Sequence, residues 1–176
     1  MTETLFRLAV TTDIAALHQL IESAYRGDSA RRGWTHEADL LDGQRTDVDA
    51  LTELIADPGQ RLIVADLAEQ LTGCVQITDK GGGLAYLGML SVAPGLQGGG
   101  LGRQLIEAAE SRAIALFSAK RMEMAVIRQR AELIAYYERR GYALTGEERP
   151  FPYGDARFGV PRTGTLAFVV LARDLG

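Results

Sequence analysis

The run from Leu90 to Gly102, Leu-Ser-Val-Ala-Pro-Gly-Leu-Gln-Gly-Gly-Gly-Leu-Gly, constrains this chain more than any other stretch. It joins an apolar segment to a glycine loop that opens directly into a helix. Ala85 to Val92 is almost uninterrupted apolar sequence and reads as a buried strand, and Leu101, Leu105, Ile106, Ala109, Ala113 and Leu116 recur at helical spacing. The glycines between them leave backbone N–H groups uncovered at the positive end of the helix dipole, where an anion such as phosphate can sit.

Two common phosphate loops do not fit. The dinucleotide fingerprint G-x-G-x-x-G fails because Gly100 and Gly102 are followed by Leu105 where the third glycine belongs. The Walker loop ends in Gly-Lys-Ser/Thr, and the chain's lysines, Lys80 and Lys120, both lie outside the loop.

The pattern that fits is Q-x-x-G-x-G, as Gln97, Gly100 and Gly102. Downstream, Met122 to Ile127 reads as a strand, followed by a short helix carrying Tyr136-Tyr137-Glu138-Arg139-Arg140-Gly141-Tyr142. Together these resemble the pyrophosphate-binding motif and the Y-E-x-x-G-F/Y signature of the GNAT superfamily, the acetyl-CoA-dependent N-acetyltransferases. The two motifs carry nearly all the specificity of the resemblance, which extends over the whole chain.

Composition agrees with a soluble globular protein. A chain of 176 residues is one domain's worth, residues 1–176, and can bury roughly 70% of its unfolded surface. Its hydrophobic content of 47% with 24% charged residues fits a soluble protein, and its apolar runs are shorter than a membrane span. Glu3 stands where a signal peptide would be basic, so a cytoplasmic location is expected. Cys74 is alone and reads as a buried strand residue. With His18 and His36 the only histidines, no metal site is expected. A net charge of −4 weighs against nucleic acid as a partner. Arg121, Arg128 and Arg130 are expected to gather beside the loop as cations for phosphate groups.

Leu5 to Val10 reads as a first strand. Asp13 is expected to cap a helix with Ile14, Leu17, Leu20, Ile21 and Ala24 on one stripe. A second helix, 47–57, is expected to have Thr46 as its cap and Val48, Leu51, Leu54 and Ile55 facing inward, with Pro58-Gly59 stopping it. Strands follow at 61–66, 73–78 and 85–92, and the last two at 142–149 and 165–171. This order matches the fold the resemblance implies. The expected fold class is α/β (α+β), a GNAT acyl-CoA N-acyltransferase fold with a mixed central sheet of about seven strands flanked by about four helices.

The resemblance also implies site roles. The strand ending at Val92 bulges away from the strand beginning near Met122, and Leu90 and Val92 pair with the pantetheine arm of acetyl-CoA. The Val92 N–H donates to the thioester oxygen as charge develops there. Gln97 and the amides of Gly98, Gly99, Gly100, Leu101 and Gly102 hold the pyrophosphate, with Arg103 adding charge. Tyr137 lines the cofactor site and protonates the departing thiolate, a task suited to a phenol of pKa near 10. Tyr136 is expected to be packing.

The chain departs from the family pattern twice. Gly88 stands where some members carry a glutamate base, and Arg130 stands where an asparagine often contacts the cofactor. The base is then Glu123, Glu37, Asp39 or water, with Glu123 the choice on the strand. The segment 33–45, with Trp34, Glu37, Asp39 and Arg45, and the segment 150–161, with Tyr153 and Arg157, are expected to wall the site of a small-molecule amine substrate. The expectation is an acetyl group transferred to a primary amine by direct attack in a ternary complex. Another acyl-CoA donor, a protein or peptide acceptor, a non-catalytic CoA-binding regulatory module and a homodimer stay open.

Overall fold

The computed structural model describes residues 3–25, 41–42, 46–151, 160–161 and 165–176. The elements in chain order are β1 (Leu5–Leu8), α1 (Ile14–Tyr25), β2 (Leu41–Asp42), α2 (Val48–Ala56), β3 (Gln60–Leu67), β4 (Gln70–Gly81) and β5 (Leu84–Val92). They continue with α3 (Leu101–Phe117), β6 (Arg121–Ile127), α4 (Ala131–Arg139), β7 (Ala143–Pro150), β8 (Val160–Pro161) and β9 (Ala167–Asp174). Seven strands form one mixed sheet in the order β1-β3-β4-β5-β6-β9-β7. Among the described residues its one parallel pair is β5 with β6, the pair joined through α3, since parallel neighbours need a crossover. The mixed sheet and the four helices among the described residues match the expected fold class.

Alternation along the central strands builds a core on each face of the sheet. Ile63, Val75, Leu87, Met122 and Met124 point to the face covered by α3, whose Leu105, Ile106, Ala109 and Ala113 form its buried stripe. Leu62, Val64 and Cys74 point the other way, against Leu17, Leu20, Ile21 and Ala24 of α1 and Leu51 and Leu54 of α2. Cys74 is a buried thiol, as its strand position predicts.

Several local expectations are corrected. Leu116 is 44% exposed, because the stripe of α3 drifts off the sheet in the last turn, and Val48 is 49% exposed at the first turn of α2. The cap of α2 is Asp47, whose carboxylate accepts from the Ala50 N–H at 2.7 Å. Thr46 is instead buried, its N–H donating to Glu22. Asp13 does not begin α1 as an N-cap. It ends a 3-10 turn, Thr11–Asp13, and reaches back to accept from the Val10 N–H at 2.8 Å.

The Asp13 carboxylate is also gripped by both terminal nitrogens of Arg7, at 2.8 and 3.0 Å, and Arg7 bonds Asp66 as well. The Arg7 bonds hold Asp13 below its ordinary value, against the opposing effect of burial and with help from the Val10 N–H. A depressed folded-state pKa contributes stability above the unfolded value near 4, lost as pH falls through the folded value. Asp13→Asn is therefore expected to lower the melting temperature at pH 7 by about 2–5 °C. Thermal denaturation as a function of pH should show that difference shrinking steadily below pH ~4.

A two-stranded ladder adds to the expected elements. Leu41 pairs with Pro161 and Asp42 with Val160, so β2 and β8 are tied by antiparallel backbone pairing. Two residues in each strand are too few for alternation to reveal them in the sequence.

Candidate active site

The site begins where β5 parts from β6. The parallel ladder runs from Leu84 with Arg121 to Tyr86 with Glu123 and goes no further, although both strands continue. On its other edge β5 stays paired with β4, but between Gly88 and Ser91 it spends three steps where β4 spends two, from Gln76 to Cys74. The extra residue is a bulge, with Met89 at φ 49°, a left-handed conformation that a side chain adopts only under constraint. Bulges bend the strand that carries them, and here the bend accompanies the opening of the sheet.

Backbone polarity beyond the bulge follows from the ladder. Ala93 N–H donates to Thr72 O at 2.9 Å, so Ala93 addresses β4. Successive residues of a strand address opposite edges, which turns the Val92 N–H and C=O toward the gap. The Val92 carbonyl accepts from Gln97 Nε2 at 3.2 Å, so the loop glutamine braces the last peptide of the strand.

A cleft of about 360 Å³ runs from this gap to the start of α3. One wall is Leu90, Val92 and the loop residues Gln97, Gly98, Gly100 and Gly102. No side chain caps α3 and its first turn holds no acid, so the amides there are served by nothing from their own helix and face the cleft. Arg103 stands at the same end, its pairing with Glu107 long at 3.7 Å and exposed. Uncapped N–H groups beside a guanidinium are an anion site at the start of a 17-residue helix. Gly99 and Leu101 belong to the same turn but do not line the cleft, and Leu101 packs against the core.

The other wall is α4, whose C-terminus explains the second motif. Gly141 N–H bonds Glu138 O and Tyr142 N–H bonds Tyr137 O, the two bonds of a Schellman cap, with Gly141 at φ 98°. This stop turns Tyr142 into the core, where its hydroxyl donates to Glu110 Oε1 at 3.0 Å. Tyr142 meets Tyr137 edge to face with centroids 6.2 Å apart, and Tyr137 meets Tyr136 likewise at 5.5 Å. Held from both sides, the Tyr137 ring is buried while lining the cleft opposite Leu90 and Val92.

Tyr136 is more than packing. It lines the cleft at the anion end, with the Arg140 guanidinium 4.9 Å over its ring and Arg139 at 6.0 Å. Burial raises its phenol above the ordinary value, while Arg140, Arg139 and Arg103 pull the other way. The positive charge at this end thus comes from Arg103, Arg139 and Arg140. Of the three arginines expected there, Arg121 pairs with Asp174 and Arg128 with Glu148, both away from the cleft. Residues 139 and 140 are three and four past Tyr136, so helical spacing carried a signal for them.

Glu123 is buried on the face opposite Met122 and Met124, at the last rung before the strands part. Both its oxygens accept from Arg149 Nη2, at 3.1 and 3.2 Å. Burial works against the Arg149 charge, but the bonds to Glu123 and Glu147 more than offset it, and its pKa is raised. Arg130 is 4% exposed and bonds Glu132 through Nε at 2.9 Å. It lies beyond the cleft wall rather than on it. Trp34, Glu37, Asp39, Arg45, Tyr153 and Arg157 lie outside the described residues. Among the described residues no group of His, Cys, Asp and Glu is arranged to hold a metal, and no helix is long and apolar enough to cross a membrane.

Residues 15–142 match the model of the acetyltransferase (GNAT) family. An IAA acetyltransferase of Azospirillum brasilense is 34% identical over 144 residues, covering 79% of this chain and 83% of that one. Among solved structures, a putative acetyltransferase from Salmonella typhimurium with acetyl-CoA superposes at a TM-score of 0.70, with 20% identity over 99% of this chain and 95% of that one. The spermidine N-acetyltransferase of Vibrio cholerae in complex with CoA and spermine superposes at 0.71, with 18% identity over 98% and 95%.

Proposed function

Because this chain belongs to the acetyltransferase (GNAT) family, we propose that it transfers an acetyl group from acetyl-CoA to a primary amine of a small molecule by direct attack in a ternary complex. The observation that carries this reading is the parting of β5 from β6 beyond Tyr86 and Glu123, which turns the Val92 peptide toward a cleft ending at the uncapped start of α3. Acetyl-CoA supplies the activated thioester. Leu90 and Val92 would pair with its pantetheine arm along the edge of β5 that borders the gap. The loop amides, Arg103, Arg139 and Arg140 would hold its pyrophosphate.

In the transfer, the amine lone pair forms a C–N bond to the acetyl carbon, the C–S bond breaks, the thiolate takes up a proton and the amine loses one. The Val92 N–H faces the edge where the oxyanion would develop, and a preorganised donor there stabilises the charge. Tyr137 would give the thiolate its proton. Glu123, at the root of the gap, would receive the amine proton through a water, with Arg149 orienting its carboxylate. The segments around β2 and β8 would wall the acceptor, a reading supported by the ladder that ties them.

Release of CoA from acetyl-CoA with a panel of amines, followed against pH, tests both the reading and the base. Turnover is expected with at least one amine. Glu123→Gln is expected to lower kcat/KM by about 10- to 100-fold at pH 7, with partial recovery as rising pH leaves more amine neutral. Parallel profiles for the two proteins would remove Glu123 from the mechanism. Absence of CoA release with every amine would favour a binding module.

A further inference from the structure

Arg130 is buried, and among the described residues its Nη1 and Nη2 groups have no hydrogen-bond partner. Only Nε is engaged, by Glu132, whose own side chain is half exposed. A guanidinium taken from water with four N–H bonds unmet is costly unless something else meets them.

Its place in the fold indicates what that could be. The Arg130 carbonyl accepts the first helical bonds of α4, from Leu133 and Ile134. Leu133 and Tyr137, four residues apart on one face of α4, line the cleft. Arg139 and Arg140, at the C-terminal end of α4, line the cleft beside Tyr136, and Leu133 lines it from the first turn of the helix. Arg130 immediately precedes α4, three residues before Leu133 and at the end of the helix away from Arg139 and Arg140. It therefore stands past the end at which the acyl group and the amine would meet.

Charge around this point is unbalanced. The buried carboxylate at the root of the gap, Glu123, is matched by Arg149. Among the described residues, Arg130 has only Glu132 against it. A polycationic acceptor would add like charge there, whereas a carboxylate would meet Nη1 and Nη2 as a bidentate fork. We propose that Arg130 is a specificity residue that recognises a carboxylate of the substrate pair, carried either by the amine acceptor, as in an amino acid, or by the acyl group of a dicarboxylic acyl-CoA. This deepens the acetyltransferase reading and rests on it.

Binding measured by calorimetry tests the proposal without requiring turnover. One arm compares an amino acid with its amide in the presence of CoA. The other compares succinyl-CoA and malonyl-CoA with acetyl-CoA. The wild-type protein is expected to prefer the acid by about 10- to 100-fold in one arm, which identifies the source of the carboxylate. In Arg130→Gln that ratio is expected to fall to near one. Should this variant not fold, Arg130→Lys, which keeps charge but loses the fork, is expected to reduce the ratio. No wild-type preference in either arm overturns the proposal. So does a preference that persists in the variant, the result expected if Arg130 only touches a carbonyl common to all CoA esters. CoA release from acetyl-CoA with neutral amines, in the absence of any preference, would leave the acetyltransferase reading standing alone.

Discussion

Gly102→Val is expected to raise the acetyl-CoA dissociation constant by about 100-fold or more while the protein stays folded, as read by calorimetry alongside thermal denaturation. A Cβ at position 102 would stand 2.6 Å from the Tyr136 hydroxyl, with the rest of the ring at ordinary distance. The tyrosine is the flexible partner, so its ring would swing into the anion end of the cleft and displace the phosphates from the first amides of α3. Loss of two charge-assisted hydrogen bonds, at about 1.5–3 kcal/mol each, accounts for the size of the effect. Stability should change little, because valine is no worse than glycine within a helix. The close contact is to the hydroxyl oxygen alone, so Gly102→Ala is expected to weaken binding less in a Tyr136→Phe background than in the wild type. Unchanged affinity in folded Gly102→Val would reject this position for the pyrophosphate.

Tyr137→Phe is expected to lower kcat by about 10- to 10³-fold with acetyl-CoA affinity held within about threefold. The substitution removes only the hydroxyl. The edge-to-face contacts of the ring with Tyr136 and Tyr142 are retained, so the cleft wall and the melting temperature should be preserved. Steady-state kinetics paired with calorimetric binding separates proton donation from packing. An equal loss of affinity and rate would make Tyr137 a structural wall of the cofactor site.

The sequence by itself determined the strand, loop and helix around Leu90 to Gly102, because a buried strand and a one-sided helix each impose a local apolar period that glycine interrupts. It likewise determined the second motif, since Gly141 supplies the left-handed turn a Schellman stop requires. Caps were less legible. Asp13 and Asp47 are both acceptable partners for helix amides, and only the bond from Val10 or Ala50 shows which way each carboxylate turns.

What only the tertiary structure decided concerns partners distant in sequence. The arginines at the anion end are Arg103, Arg139 and Arg140, whereas Arg121 and Arg128 are drawn to Asp174 and Glu148 on neighbouring strands. Glu123 meets Arg149 only because β6 and β7 flank β9, a topology that no local pattern encodes. The unmet nitrogens of Arg130 belong to the same class. Charge pairing depends on which side chains the sheet order brings within a few ångströms, and burial then sets how much an unmet bond costs.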